Sequence, residues 1–296
     1  MAVERALLVQ LVNKINRGRI VLPSLPEVAM AVRDLSQRDD CSAEQLVEEI
    51  SKDPGLATTL ISMANSEGFG GELKANSVQF AVTRLGLERT RDLAAAAAMH
   101  QLFYSEQSMI WDKLEQLRRS NIEVASCALA VLACEHEQGR LINLSAETLL
   151  LACQIHNIGV LPLVDQAEKH PHLFRDGQQL EQIIKQLGAP LGQAVLQQWR
   201  FPEELVVVAR YWADLSYQTS TPSYLDLVRL GALYSRQLLL DEPLPNSLQL
   251  LVDKGVLSGL EVFGRETYFL TFNAVHNRLS QHELPLSVTG VPSGDC

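Results

Sequence analysis

LLACQIHNIGVLPLV, Leu150 to Val164, is an almost wholly apolar run that carries His156 and Asn157 side by side. Such a run is the signature of a buried helix, because a helix with no polar face has no side to turn to water. Its polar side chains must therefore find hydrogen-bond partners inside the protein or face an internal cleft. Ser145 stands at the position of an N-cap, so the helix is expected to open there and to run to about Gly159.

Helical periodicity extends outward on both sides. Before the run, apolar stripes cover Val3 to Asn16, about Pro26 to Leu35, a helix opened by the capping box Ser42-Ala-Glu-Gln45, and a helix restarted at Asp53-Pro54. The entry Ile20 to Val28, with its two prolines, reads as extended. Gly68, Gly70 and Gly71 close the Asp53 helix, and Ser77 caps another that Gly86 stops. Glu88 to Tyr104 holds the run Ala94 to Ala98, whose small side chains suit close helix packing. A long helix spans roughly Ser108 to Glu137, with Ser120 and Asn121 as polar interruptions of its inward stripe.

After the run, Asp165 to Gly177, with His170 and His172, reads as a surface loop. Gln178 to Leu187, Pro190 to Trp199 and Pro202 to Ala213 read as three short helices, followed by a helix from about Ser223 to Leu240 and one over Asn246 to Gly255. The remainder to His282 is ambiguous between helix and strand. No alternating run demands a sheet, so the fold class is all-α. The expected organisation is an N-terminal helical subdomain over 1–107, a second over 108–240, a short C-terminal extension of undetermined structure over 241–283, and a flexible tail over 284–296.

Composition bounds the function. Apolar residues make up 47% of the 296-residue chain and charged residues 20%, which suits a folded globular protein. The formal charge of -10 repels phosphate backbones and anionic lipid, and only short basic clusters interrupt it, at Arg84, Arg89 and Arg91 and at Arg118 and Arg119. Neither nucleic acid nor membrane is therefore expected as a partner. The first residues lack a signal-peptide pattern, and no apolar run reaches about 18 residues, so a cytoplasmic location is expected. Five cysteines without a CxxC pair point to reduced thiols. The seven histidines show no HExxH spacing, and neither GxSxG nor GxxxxGK[ST] occurs.

Four segments carry a family resemblance: LPSLPEV at Leu22 to Val28, ISKDPGLATTLISMANS at Ile50 to Ser66, AVTRLGLERTRDL at Ala81 to Leu93, and ACQIHNIGVLPL at Ala152 to Leu163. Together they resemble the HDOD family, the HD-related output domain of bacterial signalling proteins. The likeness continues through Gly192, Trp199, Phe201-Pro202 and Tyr211 and covers about residues 1 to 235. It implies an all-helical fold similar to the HD metal-dependent phosphohydrolases, generally without their full set of metal ligands.

Carried over residue by residue, the resemblance places the first histidine of the HD pattern at Ser120 and the His-Asp doublet at His156-Asn157. It places the next histidine near Gly188 and the later pair at Trp212 and Ala213. One position keeps a ligand, and a neutral asparagine replaces the carboxylate that would anchor a cation. These six residues are thus expected to form a degenerate pocket with no catalytic residue, no metal and no cofactor. His156 is expected to be a satisfied core histidine, and Trp212 to fill the space of the absent ion.

The expected function is a non-catalytic signal-transduction module that acts through contacts with a signalling partner supplied in trans, since no receiver, GGDEF or kinase segment accompanies it. A homodimer is also allowed. The alternatives are a metal-dependent phosphohydrolase acting on a nucleotide or cyclic dinucleotide, and a small-ligand binding module without hydrolysis.

Overall fold

The computed structural model describes residues 26–36, 38, 40–65, 75–102, 108–169, 177–238 and 244–281. The expectations for Val3 to Asn16, the extended entry up to residue 25, Gly68 to Gly71, His170, His172 and the tail lie outside these residues. The described residues form α-helices and one short 3-10 turn, with no strand among them.

Local chemistry sets the first boundaries. Helix α1 spans Glu27–Ser36 and α2 spans Ala43–Ile50, the latter opened by the Ser42–Gln45 capping box. Asp53 accepts the Gly55 and Leu56 amides at 2.9 and 3.0 Å and so starts α3, Pro54–Ala64. Ser77 caps α4, Val78–Leu85, and Gly86 ends it at φ 78°, a conformation that glycine adopts without a steric penalty. Helix α5, Leu87–Leu102, buries the whole alanine run Ala94 to Ala98.

The long helix α6, Ser108–Glu137, is the axis of the fold. Beside it lies α7, Ala146–Ile155, which Ser145 caps as expected. Here the expectation of one helix running to Gly159 is corrected. The chain turns through 156–159 and restarts as α8, Val160–Lys169. Pro162 explains the break: in a continuous helix its ring would press on the Ile158 carbonyl, whereas in the first turn of a new helix it is tolerated. The stretch Ala146–Lys169 is apolar and long enough to cross a membrane by composition, and 94% of its apolar window is buried inside the fold.

Two further expectations are corrected. Asp165 to Lys169 belongs to α8 and is not loop. The helices expected over Gln178 to Leu187 and Pro190 to Trp199 are one helix, α9, Gly177–Gln198, with Pro190 inside it. Packing outweighs the lost backbone hydrogen bond, because α9 meets the 156–159 turn backbone to backbone. A methyl group at Gly159 would collide with the Gly188 carbonyl and the Gly192 amide. A similar approach sets Gly231, in α11 (Tyr224–Tyr234), against the Val124 main chain of α6.

Between α9 and α10, Glu203–Tyr211, Arg200 takes φ 55° and Phe201 N–H bonds back to the Leu196 carbonyl, a left-handed helix cap. Arg33 of α1 reaches this turn. Its Nη2 donates to the Arg200 carbonyl at 2.5 Å, and its guanidinium lies 3.9 Å over the Phe201 ring. Arg33 is buried, and its Nε and Nη1 meet no acceptor. Burial, and then the nearby Arg91, lower its pKa to about 10.

The C-terminal extension is helical. It comprises α12, Leu244–Asp253, the 3-10 turn Leu260–Gly264, and α13, Glu266–Gln281, which lies along α6. Val256, Leu257, Val262, Tyr268 and Leu279 are its buried apolar residues.

Candidate functional site

The 156–159 turn, where α7 gives way to α8, places His156 and Asn157 in the interior of the bundle. His156 is the residue at the end of α7 and is 1% exposed. Its Nδ1 lies 2.7 Å from the Cys153 carbonyl and its Nε2 lies 3.0 Å from Gln237 Oε1. Trp212, at the end of α10, stands edge-on to the imidazole, with centroids 4.9 Å apart and planes at 84°. Burial lowers the imidazole pKa below its ordinary 6.5, while the hydrogen bonds to Gln237 and Cys153 pull the other way. Both neighbours are acceptors as placed. A neutral ring donates to one of them, and Gln237 must turn its amide over to serve the other.

Asn157 faces α6, not solvent. Asn121 Nδ2 donates to Asn157 Oδ1 at 3.1 Å, and Asn157 Nδ2 donates to Asn121 Oδ1 at 2.8 Å. Asn121 Nδ2 also approaches the Gln154 carbonyl at 3.4 Å, and Gln237 Nε2 approaches Asn121 Oδ1 at 3.4 Å. The result is a small network of carboxamides around one imidazole. It is buried at Asn121, Asn157 and His156 and half-exposed at Gln237 and Trp212.

Of the six expected positions, the structure brings together His156, Asn157 and Trp212. Ser120 is half-buried one residue before the side chain that meets Asn157, which is that of Asn121. Gly188 contributes backbone packing against Gly159, and Ala213 is exposed. Sequence reasoning singled out Asn121 as an anomaly without giving it a role. It missed Gln237 altogether, since a glutamine just past a helix end carries no distinguishing pattern.

These residues do not fit a divalent cation. Both imidazole nitrogens face protein oxygens, and the Asn157 amide is taken up by Asn121. Among the described residues, no three His, Cys, Asp or Glu side chains are gathered closely enough to hold a metal ion. Asp165, which follows in α8, pairs with Lys169.

The family model described as HDOD domain matches residues 22–215. A crystal structure of a candidate metal-dependent phosphohydrolase from Shewanella amazonensis SB2B is 34% identical, with a TM-score of 0.88 over 94% of this chain and 100% of that one. A candidate signal transduction protein from Marinobacter aquaeolei VT8 is 20% identical, with a TM-score of 0.62 over 96% of this chain and 66% of its own. That likeness speaks to the fold alone. An uncharacterized protein of Treponema pallidum (strain Nichols) is 23% identical over 202 residues, which is 66% of this chain, and the match spans 38% of that relative's length.

Proposed function

The chain belongs to the HDOD family, and from that membership we propose that it is a regulatory signalling module whose HD-type pocket is degenerate and which acts through protein contacts without catalysis. The observation that carries this reading is the closed carboxamide network. Of the six positions carried over from the HD pattern, His156 alone is of metal-ligand type, and its partners are a main-chain carbonyl and Gln237. A hydrolytic HD-type site needs anionic carboxylates and free imidazole nitrogens to hold ions that turn water into a nucleophile. A network of paired carboxamides instead ties α6, the end of α7 and Gln237, three residues past α11, into one arrangement, which suits a part that transmits position. The input then arrives from a partner protein in trans, or from a second copy of the chain.

The second reading is a metal-dependent phosphohydrolase. It is favoured by the 34% identity to the Shewanella protein that carries such a name. Hydrolysis of bis(p-nitrophenyl) phosphate in the presence of manganese separates the two. The signalling reading expects no turnover above buffer. Turnover that His156→Ala abolishes overturns it.

A further inference from the structure

We infer that the outward face of α13 is where a second copy of this chain binds, the two helices packing antiparallel across a two-fold axis. The helix has two apolar faces. Its inner face is firmly seated along α6: Tyr268 and Leu279 are buried, and Phe272 and Val275 are half-buried against the core. Its outer face carries Phe269, Leu270, Asn273, Ala274 and Asn277, all exposed, the two large side chains at 54% and 60%.

These five positions fall on one helical stripe, and no Asp, Glu, Lys or Arg occurs from Thr267 to Asn277. A surface helix ordinarily turns charged residues to water opposite its apolar face. Helix α9 does so with Glu181 and Lys185, both exposed. An outer face that is uncharged and partly apolar, on a helix whose inner face is already packed, is suited to a second contact.

The chemistry of the stripe selects its own copy. The chain carries a formal charge of -10, so two copies repel, and they meet at least cost where neither presents a charge. The ends of the stripe are of opposite sign: Glu266 is exposed at its start, and the half-buried Arg278 follows its last residue. Turned end for end, the stripe brings Glu266 of each copy toward Arg278 of the other and sets Leu270 near the small Ala274. Both pairings belong to one register, because each is placed symmetrically about position 272. Asn273 and Asn277 each hold a donor and an acceptor, so they pair near the axis without burying a charge. Two-fold association requires this kind of self-complementarity. A face of one charge sign would suit a different protein and repel its own copy. That the second copy supplies the regulatory input rests on the signalling reading above, whereas the pairing itself does not.

Sedimentation equilibrium of the full chain at up to about 100 µM tests the pairing. The expected result is a dimer of twice the 32.8 kDa chain mass. Leu270→Glu is expected to weaken it by about 30-fold, the effect of losing a central contact. Phe80→Glu, which alters an exposed side chain of α4, is expected to leave it unchanged. Glu266→Arg is expected to weaken the dimer, and the double variant Glu266→Arg, Arg278→Glu to restore it, which a defect in folding would not do. Far-UV circular dichroism checks that each variant is folded. A monomer throughout overturns the pairing and leaves the face to a different protein. A dimer that tolerates Leu270→Glu overturns the surface. A Glu266→Arg loss that the double variant fails to recover overturns the antiparallel register. A monomer leaves the signalling reading standing, whereas manganese-dependent turnover overturns that reading and leaves the dimer intact.

Discussion

Asn121 and Asn157 exchange two hydrogen bonds, at 3.1 and 2.8 Å, across the contact between α6 and the turn that ends α7. Each amide satisfies the other, so the pair is buried without charge. Aspartate in place of Asn157 keeps the acceptor and loses the donor, and it places a carboxylate against Asn121 Oδ1. Asn157→Asp is expected to cost about 2 kcal/mol at pH 7.5, the scale of an unsatisfied buried polar group. Burial among neutral amides raises the carboxyl pKa above its unfolded value. The penalty is therefore present at neutral pH and shrinks as pH falls, because the protonated acid again donates. Urea midpoints of variant and wild type should converge between pH 7.5 and pH 5.

Gly159→Ala tests the backbone contact between the turn and α9. No side chain can yield there, since the obstacles are the Gly188 carbonyl and the Gly192 amide. A loss above about 4 kcal/mol, or failure to fold, is expected. Gly86→Ala is the control. Gly86 also has positive φ, but no atom lies within 4 Å of where its Cβ would be, so the cost falls to about 1 kcal/mol. Thermal denaturation of the two proteins checks the contrast.

The pH dependence of stability carries a His156 component of defined sign. Its folded pKa lies below 6.5 because burial disfavours the imidazolium. As pH drops below 6.5 the unfolded chain takes up this proton and the folded chain resists it, so stability falls through that window and is fully present above it. The decline in melting temperature between pH 7.5 and pH 5.5 is expected to be smaller in His156→Gln than in wild type.

Arg33 gives a prediction against intuition. Its guanidinium is buried with one hydrogen bond and a ring contact, and two donors go unmet. Removing one partner of a well-paired buried ion costs about 3–5 kcal/mol, whereas an apolar residue of similar volume is often neutral or stabilising. Arg33→Met keeps the volume over Phe201 and is expected to remain within about 1 kcal/mol of wild type by urea unfolding.

Much of the fold is legible in local chemistry. Ser42, Asp53, Ser77 and Ser145 open helices where their side chains accept main-chain N–H groups, and Ser108–Glu137 is bounded by its apolar stripe. The α7 to α8 break was present in the sequence as Pro162, three residues past Gly159, and is read correctly only when the proline is weighed against the apolar run. The single helix α9 was not legible, because Gly188 and Pro190 are helix breakers in isolation, whereas here the helix packs against Gly159 through Gly188 and Gly192. Within the site, His156 and Asn157 stand out as polar residues in an apolar run. Gln237 reaches His156 across a long separation in sequence, and a tertiary contact of that kind leaves no local trace.

The central claim, that the pocket is closed by amides and holds no catalytic ion, is tested most directly by the metal content of the purified, extensively dialysed chain, measured by plasma mass spectrometry beside His156→Ala. The account predicts manganese, iron and zinc far below one per chain in both proteins. Close to one ion per chain in wild type, lost in the variant, would contradict it.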